Sequence, residues 1–250
     1  MTIPRGEAPP SLPPAARGRA GGGEQSTDVR GMFDRIAGRY DAANRVMSAG
    51  IDVLWRKKAL ALLLDGIGEN PCVLDLGAGT LDGALEIQRR RADARVVAAD
   101  FAREMLKVGR KKPAAQRVST HAADGHRLPY GNGVFDAAFS AFCVRNLREL
   151  PVGMAELRRV VRPGGRIAIL EFFRPEKTRL FFDKFYNAKL LPLLGWAVSG
   201  DREAYRYLPA SIERFVSRAE FEELLRKVGF AEVSGQDLFP SGVASLVVAR

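Results

Sequence analysis

Cysteine and histidine are both scarce in this chain, with two of each among 250 residues. Cys72 and Cys143 are too few for a disulfide framework or for a cysteine-rich metal cluster. Cys72 adjoins a predicted core strand, and we expect it to be a small buried hydrophobe. The sequence therefore predicts a protein of a reducing, cytoplasmic setting with no bound metal.

Long uninterrupted apolar runs are missing as well. Residues 1–30 are rich in Pro, Gly, Ala and Arg, so they contain no apolar core of a secretory signal and cannot offset the entropy of ordering. We expect a disordered tail over residues 1–30 and one α/β domain over residues 31–250. The apolar stretch at residues 177–199 is interleaved with Lys and Arg and broken by Pro192, which predicts a helical cap and not a membrane span.

Acidic residues are outnumbered, 29 against 39 basic ones, and the formal net charge is +10. Such a surface favours an anionic partner, either nucleic acid or an anionic membrane face. A solvated basic surface without a partner has the same charge, so composition alone does not choose among these possibilities.

A glycine turn directly after a short apolar strand is the most informative feature that is present, in the segment Val73-Leu74-Asp75-Leu76-Gly77-Ala78-Gly79-Thr80. Glycines in such a turn let the backbone approach a ligand closely. A second apolar run ends at Asp100, where a carboxylate can accept hydrogen bonds from ribose hydroxyls. Together these features predict a nucleoside-containing cofactor.

The spacing in this turn argues against a dinucleotide, which needs Gly or Ala at position 82. This chain has Asp82 there. With Thr80 and Asp75 it makes the turn polar and acidic, which suits an ammonium or sulfonium group better than a pyrophosphate. The sequence therefore favours S-adenosylmethionine, with its ribose at Asp100 and its amino-acid end over residues 77–80.

Hydrophobic periodicity predicts alternating helices and strands after the tail. The predicted helices are 51–64, 82–91, 102–111, 152–161 and 219–228, and the predicted strands are 72–76, 96–100, 117–122, 134–142, 166–172, 232–237 and 243–249. The last two strands have no helix between them and must pair antiparallel. The sum is a doubly wound, mostly parallel seven-stranded sheet with a terminal hairpin, whose ligands bind at the carboxyl ends of the strands.

Six further segments, taken in their order along the chain, are informative together: residues 32–41, 44–50, 54–56, 142–146, 170–175 and 205–212. With the glycine turn they resemble the ubiquinone/menaquinone biosynthesis C-methyltransferases over about residues 32–249. The resemblance implies a class I, Rossmann-like S-adenosylmethionine enzyme that methylates a polyprenyl quinol ring and releases S-adenosylhomocysteine. Cap elements are expected at about residues 31–50 and 176–214.

The residues and the resemblance together predict cofactor contacts at Asp75, Gly77, Gly79, Thr80, Asp100, Phe101, Asp124, Gly125, Ala141 and Tyr40. In this set, Asp124 accepts from the adenine amino group and Gly125 offers its backbone amide. The family usually has Ser at position 141, so Ala141 loses a side-chain hydrogen bond, and Ser140 faces the other way in a regular strand. Leu81 and Cys143 replace glycines that are common in the family.

Methyl transfer from a sulfonium is an in-line displacement, which needs a nucleophilic carbon held close to the methyl group. A quinol carbon becomes nucleophilic when a neighbouring ring hydroxyl loses its proton. Arg145 is the candidate to stabilise the phenolate, because a guanidinium stays charged and donates in a fixed fork. Asn146 could orient the ring or a water, and the base is Asp41, Asp201, Tyr205 or a water chain.

Residues 177–199 would wall a tunnel for an isoprenoid tail and touch anionic lipid, so we expect peripheral contact at the inner membrane face. The acceptor is a naphthoquinol, a benzoquinol or both, and the sequence predicts no oligomeric state. Another small lipophilic acceptor is an alternative. A nucleic-acid substrate is less favoured, because residues 141–144 lack the Asn/Asp-Pro-Pro-aromatic run. A non-catalytic member of a quinone-synthesis assembly is the third alternative.

Overall fold

The computed structural model describes residues 22–175, 202–239 and 244–250. Two helices, α1 (Gly22–Ile36) and α2 (Tyr40–Met47), precede the sheet and are joined by a 3-10 turn. The elements that follow are α3 (Ile51–Leu64), β1 (Cys72–Leu76), α4 (Asp82–Arg90), β2 (Arg95–Asp100), α5 (Arg103–Gly109), β3 (Val118–Ala122), β4 (Phe135–Ala141), α6 (Leu150–Val160), β5 (Val161–Glu171), α7 (Arg202–Arg214), α8 (Arg218–Lys227), β6 (Val233–Asp237) and β7 (Ser245–Ala249).

The strands form one seven-stranded sheet in the order β3-β2-β1-β4-β5-β7-β6. The first five strands pair parallel, and β7 pairs antiparallel with both β5 and β6. The predicted doubly wound sheet with a terminal hairpin is therefore confirmed. The chain runs outward from β1 to β3 and then returns to β4 on the other side of β1, and ligands of open α/β sheets bind at such a switch point.

The sheet is covered on both faces, as parallel strands require. Side chains alternate along each strand, so Val73 packs in the core beneath α3 and α4 while Leu74 packs in the core beneath α6 and α8. Asp75 follows on the same face as Val73. The fully buried Phe139 of β4 and Phe221 of α8 occupy these two opposite cores.

The first helix begins at Gly22, within the tail that was predicted over residues 1–30. Met32 and Ile36 are only 4% and 7% exposed, and burial of these side chains stabilises the turns of helix that precede them. The composition of the segment did not indicate this, because its own residues are polar or small. Residues 1–21 lie outside the described part of the chain.

Strand β5 is longer than predicted and begins at Val161, before the Pro163-Gly164-Gly165 segment. Val161 pairs with Phe135, and the register then shifts between Phe135 and Ala137. A bulge of this kind lets a strand pass through a glycine-rich bend and resume pairing. Among the described residues, every helix is too short or too polar to cross a bilayer.

Candidate active site

The glycine turn after β1 brings the backbone to the carboxyl edge of the sheet. Gly77 and Gly79 have φ of 71° and 52°, values at which an L side chain is disfavoured. The Gly77 amide donates to the Ala99 carbonyl of β2 at 2.7 Å, and the Gly79 amide donates to the Asp100 carboxylate at 2.8 Å. The turn is therefore fixed against the end of the neighbouring strand.

Asp100 connects the loops that follow β1 and β2. One carboxylate oxygen accepts from Gly79, and the other accepts from the Ala102 amide at 2.7 Å. Burial raises the pKa of Asp100 to about 6, although the backbone N–H groups of Ala102 and Gly79 oppose this shift. The Phe101 amide is a third backbone donor to Asp100, which leaves the carboxylate about one lone pair for a further donor.

Asp75 lies near the end of β1, before the glycine turn, and its predicted contact with a cofactor stays a prediction. Its side chain is 2% exposed, and a Cβ built on Gly83 would lie 2.6 Å from Oδ2, so the carboxylate lies under the first turn of α4. Burial raises its pKa to about 7. Within the described residues, Oδ2 has no hydrogen-bond partner. Asp75 supports the turn from beneath.

Leu81 adopts a left-handed backbone with φ of 72° and is completely buried. Its Cγ would be 2.5 Å from a Cβ on Gly109 of α5, so the side chain packs directly against that helix. The left-handed conformation explains why the family favours glycine here. The burial explains why leucine is accepted, because a buried Leu side chain contributes about 1.5–3 kcal/mol.

A network of charges closes over the glycine turn from the N-terminal helices. The Thr80 hydroxyl donates to Asp41, and Lys112 contacts both Asp41 and Asp82 at 2.6 Å. Arg45 contacts Asp82 at 2.6 Å on its other side. Burial raises the pKa of Asp82, but these cations outweigh it and lower the pKa. Asp82 is thus paired with protein cations on both sides.

Strand β4 ends in a second strained turn. Phe142 has φ of 56°, and its carbonyl accepts from Arg145 Nη1 at 2.9 Å and from Asn146 Nδ2 at 3.5 Å. The side chain of Cys143 fills the space above Gly77, where an added Cβ would lie 2.2 Å from Sγ. Non-glycine residues with positive φ persist where the surroundings hold them and are frequent at functional sites.

Neighbouring positions of β4 behave as the alternation predicts. Ser140 is fully buried and donates to the Leu76 carbonyl at 2.8 Å. Ala141 is half-buried and packs beside the core under α3 and α4. The hydroxyl at position 140 therefore serves the β1–β4 contact and does not replace the serine that Ala141 lacks.

Arg145 is held by a buried ion pair. Its side chain is 7% exposed, and Nη1 lies 2.6 Å from Oε1 of Glu171, which is 0% exposed. Nε contacts the Ser211 hydroxyl at 3.3 Å, and the guanidinium lies over the ring of Phe172 at 5.7 Å. Burial lowers the pKa of Arg145, but Glu171 outweighs this and raises it, so the cation persists.

Two tyrosines approach this cation from the cap elements. The Tyr207 hydroxyl of α7 donates to Asn146 Oδ1 at 2.9 Å, and Tyr207 packs against the same apolar cluster as Tyr40. Burial raises the pKa of Tyr40, while the charge of Arg145 opposes the shift. Tyr40 also meets Phe33 edge-on, and Phe33 meets Phe101 in the same way.

Tyr207 is a residue that the sequence prediction missed in favour of Tyr205. Tyr207 lies two positions after Tyr205 in α7. The side chain of Tyr205 lies outside the described part of the chain, and so does Asp201. Since α7 is helical, the periodicity of its segment was the signal that could have identified Tyr207.

The end of β3 carries Asp124 and Gly125 at the predicted edge. Asp124 Oδ1 accepts from the backbone and the Nδ1 of His126 at 2.9 and 2.6 Å, and the Asp124 side chain is 69% exposed. His126 Nε2 accepts from the Glu149 amide at 3.1 Å. His126 therefore joins this loop to the start of α6.

Gly125 is buried, and a Cβ there would lie 2.9 Å from a methyl of Leu147. Its backbone therefore packs closely against the residue that follows the Arg145-Asn146 turn.

The described residues contain no group of three or more His, Cys, Asp and Glu side chains arranged to hold a metal ion. Direct contact of Asp124 and Gly125, and of every other residue predicted above, with a cofactor stays a prediction.

Comparison with known proteins assigns the chain to a family. The model of the ubiE/COQ5 methyltransferase family matches residues 22–249. The chain is 39% identical to the demethylmenaquinone methyltransferase of Thermus thermophilus over 220 residues, which are 87% of this chain and 98% of that protein.

Two further similarities agree with that match. The chain is 38% identical over 234 residues to the ubiquinone/menaquinone biosynthesis C-methyltransferase UbiE of Geotalea uraniireducens, covering 91% and 97% of the two chains. Among solved structures, a SAM-dependent methyltransferase from Thermotoga maritima superposes with a TM-score of 0.63 at 18% identity, over 88% of this chain and 97% of that one. This last similarity concerns the fold alone.

Proposed function

The chain belongs to the ubiE/COQ5 methyltransferase family, and we propose that it transfers a methyl group from S-adenosylmethionine to a ring carbon of a polyprenyl quinol. The acceptor is a demethylated naphthoquinol, the benzoquinol of ubiquinone synthesis, or both. The related proteins from Thermus thermophilus and Geotalea uraniireducens carry names for these two ring classes.

The observation that supports this function best is that the site has two halves, each built on different strands, which meet at the carboxyl edge of the sheet. The half after β1 and β2 presents a glycine turn and the oriented carboxylate of Asp100. The half after β4 presents the Arg145 cation and the hydroxyl of Tyr207 on Asn146. Cys143 packs against Gly77, so the two halves are in contact.

These halves fit the chemistry of C-methylation. The residues that would hold the cofactor are the turn at Gly77–Thr80 and Asp100, and the bound cofactor would supply an electrophilic methyl group. Arg145 would stabilise the phenolate form of the ring, because a fixed cation in a buried site favours the anion. The proton acceptor remains Asp41, Asp201, Tyr205 or a water chain.

The function is tested with purified protein, methyl-deuterated S-adenosylmethionine and short-chain demethylated naphthoquinol and benzoquinol kept reduced. We expect a labelled methyl group on the ring of at least one acceptor and none on either quinone. In cells lacking the protein, mass spectrometry should reveal a demethylated quinone that accumulates. Absence of label on every quinol, from protein that still binds the cofactor, would overturn the proposal.

We further propose a cytoplasmic location with peripheral contact to an anionic membrane, where a polyprenyl substrate resides. Leu54 of α3 and Phe239 are 63% and 89% exposed, and the Phe239 carbonyl accepts from Trp55 Nε1 at 2.7 Å, which ties the backbone of Phe239 to α3. Lys57 and Lys58 are exposed on the same helix. The segment 177–199, predicted to take part, lies outside the described residues.

Vesicle flotation tests this contact. Leu54→Ser and Phe239→Ser should each reduce binding to anionic vesicles, whereas Val134→Ser, at a residue 47% exposed before β4, is the matched control. Binding should weaken with salt, because exposed charges are screened within about 8 Å at physiological ionic strength. Equal binding of all three variants and of the unaltered protein would contradict this surface.

A further inference from the structure

Tyr207 ends a chain of hydrogen bonds whose direction is fixed by the protein. We propose that its hydroxyl accepts a hydrogen bond from a ring hydroxyl of the acceptor and thereby selects the reduced quinol over the quinone. This inference rests on the proposed function and adds to it the residue that distinguishes the redox state of the ring.

The direction of the chain follows from the Phe142 carbonyl. That oxygen can only accept, and it faces Asn146 Nδ2 at 3.5 Å while it also accepts from Arg145 at 2.9 Å. If the amide of Asn146 were turned over, its oxygen would face this carbonyl and repel it. Asn146 Oδ1 therefore faces Tyr207, and the phenol must donate its proton to Asn146.

A tyrosine hydroxyl has one proton and two lone pairs. Once its proton is donated to Asn146, only lone pairs remain for another partner. Burial raises the pKa of Tyr207, and this exceeds the opposing effect of Arg145, so the phenol stays protonated at neutral pH. The free side of Tyr207 thus binds donors and offers nothing to an acceptor.

Tyr207 also lies close to the reacting region. Asn146 is in the short turn after β4, and this turn includes Arg145 and follows Cys143, whose sulfur packs on Gly77 of the cofactor turn. On its other side Tyr207 packs against the Met32, Ile36 and Ala43 cluster of the N-terminal helices. The phenol therefore connects the cap with the end of the strand that carries the candidate chemistry.

The two redox states of the ring differ in the property that Tyr207 detects. A quinol oxygen carries a proton that can be donated, whereas a quinone oxygen is an acceptor only. A quinone oxygen opposite Tyr207 would face a lone pair and leave both groups unsatisfied, which is costly in a buried site. Only the quinol carries a nucleophilic ring, so this contact would prevent the oxidised molecule from blocking the site.

Binding of a short-chain demethylated naphthoquinol and of its quinone, measured without oxygen and in the presence of S-adenosylhomocysteine, tests the proposal. The unaltered protein should prefer the quinol, and Tyr207→Phe should lose about 3- to 10-fold of that preference, the range of one hydrogen bond. Asn146→Ala frees the phenol to donate, so quinone affinity should rise relative to quinol affinity. Tyr130→Phe is the control, because that hydroxyl contacts His121 at 2.9 Å outside the site.

The outcomes separate this inference from the proposed function. If the unaltered protein methylates quinols but Tyr207→Phe and Asn146→Ala both keep the quinol preference, the inference is wrong and the function stands. If the unaltered protein binds neither ring and methylates none, the proposed function itself fails. A loss of cofactor affinity or of folding cooperativity in Tyr207→Phe leaves Asn146→Ala as the deciding variant, since it predicts a gain for the quinone.

Discussion

Removal of the Arg145–Glu171 ion pair, one partner at a time and then both together, is the most informative perturbation of this site. Arg145→Met leaves the Glu171 carboxylate without its cation in a position that is 0% exposed. Within the described part of the chain, the carboxylate would keep only backbone donors, from Phe172 at 2.8 Å and from residue 145 at 3.3 Å. The double variant Arg145→Met/Glu171→Met replaces the pair with apolar side chains of similar volume.

The single and the double substitution should change the free energy of unfolding by different amounts. Breaking a buried pair by removing one partner costs about 3–5 kcal/mol, whereas replacing both partners with apolar groups is about neutral or stabilising. We therefore expect Arg145→Met to be the least stable protein and the double variant to recover most of the loss. Lys107→Met, which breaks an exposed pair with Glu104, should change stability little.

The single variant should also show a distinctive pH dependence. Burial raises the pKa of Glu171, and the charge of Arg145 opposes that shift, so removal of Arg145 raises the pKa further. A carboxyl with a folded pKa above its unfolded value binds more protons when folded, so stability falls as pH rises. Urea unfolding between pH 5 and 8 should show a steeper decline in Arg145→Met than in the double variant, which keeps the decline that the raised pKa values of Asp75 and Asp100 contribute.

The double variant then isolates the role of Arg145 in methyl transfer. It should bind S-adenosylmethionine normally and lose about 10²- to 10³-fold in turnover, the effect of removing one fixed donor to a developing anion. Turnover within a factor of ten of the unaltered protein would mean that Arg145 only supports the fold. Stability of Arg145→Met equal to that of the double variant would refute the argument from the buried pair.

Three further predictions concern the cofactor turn. The pKa of Asp75 is raised to about 7, so the free energy of unfolding falls as pH rises toward 7. Asp75→Asn should remove this decline, which amounts to at most about 1.4 kcal/mol per pH unit in urea unfolding. Leu81 is buried with positive φ, so Leu81→Ala and Leu81→Gly should both lower the free energy of unfolding by about 2–5 kcal/mol. Of the two, Leu81→Gly should be the more stable protein, because glycine relieves about 1–2 kcal/mol of backbone strain. Asp41→Asn removes the contact with Lys112 and should weaken cofactor binding several-fold at low salt and less at high salt, as measured by titration calorimetry. Asp93→Asn is the control and should leave cofactor affinity unchanged.

The sheet was predictable because its signals are local. Apolar runs of strand length, helix periodicity and the Gly77–Thr80 turn each act within a few residues, and the connection rules of α/β folds supply the rest. The carboxyl-edge rule then brings Asp100, Asp124 and the turn after β4 together without any knowledge of side-chain packing. The start of α1 at Gly22 was not predictable in this way, because the stabilising burial comes from Met32 and Ile36.

The polar contacts of the site depend on pairs that are far apart in the sequence. Glu171 meets Arg145 across β4 and β5, and Tyr207 meets Asn146 from a separate helix. Neither pair has a spacing that marks it, because the two members of each pair lie on different elements. A candidate residue can therefore be identified from its segment, while its partner, and so its protonation and orientation, requires the fold.

Leu81 shows how a departure from a family pattern can be explained only in three dimensions. As a sequence feature it conflicts with a turn that favours glycine, and its burial is invisible. In the structure the left-handed backbone is disfavoured, yet the side chain fills the space beside Gly109 of α5. The burial of a leucine contributes about 1.5–3 kcal/mol, more than the roughly 1–2 kcal/mol of strain. The turn therefore keeps its shape with a side chain that also anchors the helix beside the cofactor edge.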